Sequence, residues 1–367
     1  MKKVAIVTIQ INYLLSNYGS FFQHYALRLV LKRMSFDPFR ASYPDEPVST
    51  LAWKYRKLRR VVGELLRSIK KVRCCSSDFP NRLFKRDYKR LIGPLYEGGV
   101  ADADVAIAGS DQVWSSDAPF VWLASFSCAK KRISYAASAN WSYWQGVRGW
   151  RECVKRHSQS INAVSVREQV GVRVFLQMGV KGGDVKCVCD PTMLLTNSEY
   201  LALADRRSMF SKKTLFCYFV NEVIPLEKLK ELAQMLKADL RVLGIQGAGC
   251  SVPSRYRIKC TPCQFLAAMR DSSYVVTNSY HGLLFSLYFE RPFVALMQSG
   301  VGKNQNARQF EILSRLGLTD RSLGAEFKPE DGLHKFNEKI SWGRIGVDMG
   351  KFRAESFAWL KSALISK

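Results

Sequence analysis

The segment Tyr274–Val294, YVVTNSYHGLLFSLYFERPFV, admits few folds. Tyr274–Thr277 is an apolar run of strand length, and a polar turn follows it. An apolar stretch of helical length comes next, and a second strand begins after Pro292. Strand, crossover helix and strand, all apolar, belong to a parallel sheet covered on both faces. In such sheets ligands collect at the carboxyl ends of the strands. The turn residues Asn278, Ser279, Tyr280, His281 and Gly282 occupy that edge. They also open a helix, whose N-terminus favours an anion. A proton-transfer group, His281, is thus expected beside an anion site at Ser279 and Gly282.

The same alternation runs through the rest of the chain. In the first half, Val4–Gln10 reads as a strand and Ser20–Met34 as a helix. Ala103–Ala108, Arg132–Ala137, Ala163–Val166 and Lys186–Cys189 read as further strands, with helices at about Gln145–Ser160 and up to Met178. Asn197–Lys213 is polar and reads as a connection. The second half repeats the pattern with strands at Leu215–Val220, Leu240–Ile245 and Phe293–Met297. Its helices lie at Pro225–Lys237, Pro262–Arg270 and Gln305–Leu316, and Asp348–Ile365 has amphipathic spacing. The prediction is an α/β protein of two doubly wound domains facing a cleft. Residues 1–196 form the first domain, with a basic insert at 53–90, and residues 212–345 the second. A helix at 346–367 is expected to pack back on the first.

Charge narrows the partners. Lys and Arg number 56 against 31 Asp and Glu, a net charge of +25. Such an excess calls for an anionic partner: nucleic acid, an anionic membrane face or a phosphorylated substrate. No zinc-finger, helix-turn-helix or RNP pattern supports nucleic acid, so none is expected. Trp53–Arg90 mixes Lys and Arg with Val, Leu and Ile at helical spacing, which suits an anionic lipid surface and an ordinary solvated helix pair equally. The opening MKKVAIVTIQINYLL is interrupted by Gln10 and Asn12 and no small-residue cleavage site follows, so a first buried strand fits better than a signal peptide. No window spans a bilayer. The expected location is cytoplasmic, with peripheral contact at the inner face of the membrane. Of ten cysteines, only Cys260 and Cys263 have CxxC spacing, and no second pair answers them; reduced thiols and no metal are expected.

Other polar groups fall at strand ends. Asn17-Tyr18-Gly19-Ser20 joins the first strand to the first helix, as a capping turn or as amides that meet an acceptor. Ser110 and Asp111 end a strand ahead of Trp114, where the indole could stack on a sugar and Asp111 accept hydroxyl protons. Arg167 follows a strand directly, as an anion fork or as a structural partner of Glu168. Asp190 follows another. Arg308 enters a helix after the glycine-containing loop SGVGKNQN, which carries Lys303.

In order and interval, NYGSFFQHYAL, GSDQVW, SVRE, DPTMLL and TNSYHGLLFSLYFERPF resemble the polysaccharide pyruvyl transferase family from about residue 4 to 321. The resemblance implies two Rossmann-like domains in a GT-B-like arrangement. It implies a donor substrate, phosphoenolpyruvate, with no cofactor and no metal, and formation of a pyruvate ketal on a sugar. His281 matches the family histidine and becomes the general acid; Arg167 and Arg308 match arginines that hold the donor. Many relatives carry an arginine two residues before that histidine. This chain has Ser279 there, which leaves one donor contact to Arg308 or Lys303. Asp111 or Asp190 would orient or deprotonate the acceptor hydroxyl, with Asn17, Gly19, Ser110 and Trp114 on the acceptor side. The acceptor is a glycan, including a polyprenyl-diphosphate-linked one. Two other functions stay open: a glycosyltransferase with Glu290 holding a nucleotide ribose, and a non-catalytic, membrane-peripheral glycan-assembly protein.

Overall fold

A computed structural model describes residues 1–8, 17–41, 79–93, 98–111, 113, 129–138, 161–177, 185–220, 224–245, 252–298, 306–324 and 326–366. The chain winds two parallel sheets. The first is built from β1 (Lys3–Val7), β2 (Asp37–Arg40), β3 (Val105–Asp111), β4 (Lys131–Ala137), β5 (Ala163–Val166) and β6 (Val185–Cys187), in the order β2-β1-β3-β4-β5-β6. Its helices are α1 (Tyr18–Arg33), α2 (Phe79–Leu91) and α3 (Gln169–Gln177). A short helix, α4 (Asn197–Leu203), leads to the second sheet. There β7 (Thr214–Val220), α5 (Leu226–Met235), β8 (Asp239–Ile245), α6 (Pro262–Asp271), β9 (Tyr274–Thr277), α7 (Tyr280–Tyr288), β10 (Phe293–Leu296), α8 (Asn306–Arg315) and β11 (Ser322–Leu323) alternate. The strand order is β11-β10-β9-β7-β8. The helices α9 (Pro329–Asn337) and α10 (Trp342–Ile365) follow.

Both sheets reverse direction at one place. In the first, β1 lies between β2 and β3; in the second, β7 lies between β8 and β9. The crevice at such a reversal, outside the carboxyl ends of the strands, is where doubly wound sheets bind ligands. Two side chains seal the reversal points. Gln23 of α1 donates to Thr8 Oγ1 at 2.8 Å and accepts from the Ser110 amide at 3.3 Å, joining the ends of β1 and β3. Asn278 accepts from the Val220 amide at 2.8 Å and donates to the Val220 carbonyl at 3.0 Å, joining β9 to β7.

The two sheets share a core. Helix α1 is buried on nearly every side and α7 on all, as expected of helices apolar around their circumference. They meet between the sheets. Phe22 of α1 packs edge-on to Phe285 of α7 with centroids 5.0 Å apart, and Tyr18 stacks on Phe265 of α6 at 4.6 Å. The Tyr18 hydroxyl donates to the Cys260 carbonyl at 2.7 Å.

Helix α10 lies across both halves. Arg344 donates to the Leu316 carbonyl at 3.0 Å and Arg315 stacks over Phe352, both within the second half. Farther along, Arg353 donates to the Met193 carbonyl at 2.7 Å, Ser356 Oγ accepts from the Cys189 amide at 2.9 Å, and Trp359 packs near Tyr135 of β4. Lys131 Nζ caps its end at the Leu364 and Ser366 carbonyls.

Several elements differ from the pattern in the sequence. Strands β2 and β11 carry no clear period, since DPFR and SL are too short and mixed to show one, and helix α9, which buries Pro329, Gly332 and Phe336, adds to the elements expected. Of the polar connection, only α4 is helical, closed by a capping box between Thr196 and Glu199. Only α2 of the basic insert, and none of Gln145–Ser160, lies within the described residues. Among the described residues no helix is long and apolar enough to cross a membrane, and no cluster of His, Cys, Asp or Glu could hold a metal.

Candidate active site

The two reversal points face each other, and His281 stands where they meet. Ser279 caps α7 by accepting the Gly282 amide at 3.3 Å, which sets His281 in the first turn. Gly282 is required here: a Cβ on it would lie 2.3 Å from Thr277 Oγ1, the hydroxyl that bonds the Tyr218 carbonyl and ties β9 to β7. From the other half, Asn17 caps α1 by accepting the Ser20 amide at 3.1 Å. Gly19 then passes directly under the imidazole, where a Cβ would come within 2.1 Å of His281 Nδ1. The His281 side chain is 8% exposed, and its Nε2 lies 3.6 Å from Asp190 Oδ2.

A buried charge network surrounds the ring. Arg167, at the end of β5, bonds Glu168 Oε1 at 3.0 Å and Asp190 Oδ2 at 2.7 Å, and it faces Asp111 Oδ1 at 3.9 Å. The Tyr280 ring lies 4.7 Å from its guanidinium carbon, a cation–π contact. Arg308, from the first turn of α8, reaches the same Asp111 Oδ1 at 3.8 Å. Asp111 Oδ2 accepts from Ser20 Oγ at 2.9 Å. Three carboxylates and two guanidiniums thus share one buried site drawn from both halves.

Electrostatics follows from burial and pairing. Burial alone would raise the Asp190 carboxyl, but His281 and Arg167 outweigh it and hold the group well below the usual carboxylate range. Desolvation works against the Arg167 charge, and Glu168, Asp190, Tyr280 and Asp111 more than restore it, so its net shift is upward. Arg308 moves the other way. Burial lowers it first and the like charge of Arg167 second, with Asp111 and Glu168 compensating in part. A guanidinium stays protonated regardless, so an additional anion beside Arg308 would relieve an existing penalty.

Asp111 has φ +72°, the left-handed region, at the end of β3. Aspartate tolerates it better than most residues, yet a non-glycine residue there stores strain of order 1–3 kcal/mol. That backbone turns the carboxylate toward both arginines.

The structure sorts the predicted site residues. His281, Asp111, Arg167, Arg308, Asp190, Ser110 and Gly19 come together. Asp190 cannot meet an acceptor as predicted: it has no exposed surface, and its oxygens take the Thr192 amide and hydroxyl, Arg167 and Ser110. Arg167 is 1% exposed and faces three carboxylates, while its Nη2 makes no hydrogen bond at normal distance. The Gly282 amide is taken by the Ser279 hydroxyl oxygen, and the Asn17 side-chain oxygen by the Ser20 amide. Gly19 serves the imidazole, not an acceptor. Ser110 is wholly buried, its hydroxyl shared between the Ala136 carbonyl and Asp190. Glu290 is exposed past the far end of α7, about 13 Å along the helix from His281, out of reach of the site. Trp114 and Lys303 lie outside the described residues. Ser20 and Tyr280 belong to the network without having been singled out for it; their positions beside Gly19 and His281 were the available signal.

The polysaccharide pyruvyl transferase family model matches residues 17–300. No curated protein matches the chain in sequence. Among solved structures, the UDP-GlcNAc 2-epimerase of Neisseria meningitidis bound to UDP-GlcNAc is similar at TM-score 0.52 and 10% identity, over 100% of both chains. The Methanocaldococcus jannaschii UDP-GlcNAc 2-epimerase, in complex with UDP-GlcNAc and UDP, gives TM-score 0.52 and 10% identity, over 97% of this chain and 100% of that one. At such identity the likeness is one of fold, the two-domain GT-B arrangement.

Proposed function

The chain belongs to the polysaccharide pyruvyl transferase family, and from that premise we propose that it moves a pyruvate ketal from phosphoenolpyruvate onto a sugar of a polysaccharide or of its lipid-linked precursor. The observation that carries the reading is His281 at the junction of both reversal points, 3.6 Å from Asp190, with Arg308 and Asp111 beside it.

The chemistry follows from the groups present. His281 donates a proton to the methylene carbon of phosphoenolpyruvate, and the double-bond electrons form the new C–H bond. The cationic centre left at C2 is attacked by a sugar hydroxyl, whose proton passes to Asp111. The C2–O bond to phosphate then breaks, and a second hydroxyl closes the ketal. One of the two hydroxyl protons restores His281 and the other leaves on phosphate. Arg308 holds the donor's anionic groups and stabilises the departing phosphate.

The test offers purified protein phosphoenolpyruvate and a panel of nucleotide-linked and lipid-linked sugars, the latter in anionic and in neutral vesicles. Phosphate release together with the mass of a pyruvate ketal on the sugar is the expected result. Consumption of a labelled nucleotide sugar instead would identify a glycosyltransferase. Equal rates in both vesicles would count against the anionic membrane surface expected from the basic insert.

A further inference from the structure

The two nitrogens of the His281 ring meet different surroundings. Nε2 is buried, has no hydrogen-bond partner at normal distance, and faces Asp190 Oδ2 at 3.6 Å. Nδ1 lies on the side of Gly19, at the junction between the two halves. Because Nε2 itself is covered, the small exposed part of the side chain belongs to other atoms.

Asp190 has no exposed surface and faces the ring from within the protein. Its Oδ1 is filled by the Thr192 amide at 2.9 Å and hydroxyl at 2.8 Å. Its Oδ2 takes Arg167 at 2.7 Å and lies 3.1 Å from the Ser110 hydroxyl. These bonds fix the carboxylate from several elements, since Ser110 ends β3, Arg167 follows β5 and Thr192 follows β6. An ionised carboxylate only accepts hydrogen bonds. A ring with its proton on Nε2 gives it a donor. The other tautomer would turn a lone pair toward a buried anion with no proton between them. Acid–base contacts are often long without substrate and tighten on binding.

We propose that Asp190 is the positioning residue of a His281–Asp190 dyad, which keeps a proton on Nε2 and leaves Nδ1 as the atom that exchanges protons with substrate. The proposal rests on the pyruvyl-transfer reading for the identity of that substrate. In the reaction the Nδ1–H bond breaks as the C–H bond at the donor methylene forms, and the ring is left neutral with its proton on Nε2. A sugar hydroxyl later returns a proton to Nδ1, and the Nε2 proton never leaves.

Two-bond proton–nitrogen NMR on the full chain, labelled with ¹⁵N-histidine and assigned with a His281→Ala variant, reads the tautomer without substrate. The expected resting ring, when neutral, is protonated at Nε2. In Asp190→Asn that preference should disappear, with kcat down about 10²-fold or more and KM for phosphoenolpyruvate within about threefold. If Asp190→Asn does not fold, the unsubstituted protein decides alone. A proton on Nδ1, or an undiminished kcat in Asp190→Asn, overturns the dyad while leaving pyruvyl transfer intact. An Nε2 tautomer lost in Asp190→Asn, in a protein that transfers no pyruvyl group to any acceptor, upholds the dyad and removes the function reading.

Discussion

Gly19→Ala perturbs the site at the imidazole itself, on the Nδ1 side of the ring. The added methyl would stand 2.1 Å from Nδ1, 2.6 Å from Cε1 and 2.7 Å from Cγ of His281, where ordinary contact begins at 3.4 Å. Ring or helix must therefore retreat by about 1.3 Å in a close-packed junction. A displacement of about 1 Å in a reacting group costs about 10²-fold in rate, or about 2.7 kcal/mol of barrier. The stability cost is of similar or smaller size: overpacking costs about 1–3 kcal/mol, and alanine recovers up to about 1 kcal/mol over glycine in a helix. The expected variant is folded, with kcat for phosphate release down about 10²-fold and a shifted His281 ring resonance. Gly346→Ala in α10 is the control, because nothing lies within 4 Å of its added methyl. The reasoning fails if Gly19→Ala keeps kcat within about threefold of the parent and leaves that resonance in place.

His281→Ala should abolish turnover while phosphoenolpyruvate binding, read by calorimetry, stays largely intact; full activity would remove the imidazole from the mechanism. Arg308→Ala should raise KM for phosphoenolpyruvate by about 10- to 100-fold, the equivalent of one charge-assisted contact, and Arg308→Lys should recover only part of it; an unchanged KM in Arg308→Ala would place the donor elsewhere. His24 is wholly buried in α1, its charged form disfavoured first by burial and then by Arg40 and Arg28. Its folded pKa lies below the unfolded value, so its contribution to stability is complete above about pH 6.5 and is lost as pH falls, at up to about 1.4 kcal/mol per unit. Denaturant titrations from pH 7 to pH 5 should show that slope reduced in His24→Met, and parallel curves would refute the assignment.

Much of the fold was legible because parallel strands buried on both faces write themselves as unbroken apolar runs, as in Tyr274–Thr277 and Leu215–Val220. Short edge strands such as β11 have no run long enough to see. The site was legible as positions and not as roles. Strand ends put His281, Arg167, Asp111 and Asp190 on one edge, but which carboxylate is buried depends on packing from distant segments. Asp190 is sealed by Arg167 and Ser110, far away in sequence. Nor does sequence reveal that Gly19 is a seat for an imidazole, because that contact spans more than 200 residues of intervening chain.

The aromatic seam of α1 against α6 and α7 carries a thermodynamic consequence. Where interdomain surfaces are small and polar, domains of one chain swing and melt separately. Here Tyr18, Phe22, Phe265 and Phe285 belong to a single apolar cluster that draws on both sheets. Baring it would expose rings that supply cohesion to each half, and α10 clasps the same pair from outside. A scanning calorimeter should therefore record one endotherm for this two-sheet molecule, with the His281 environment lost at the same temperature as the last of the secondary structure.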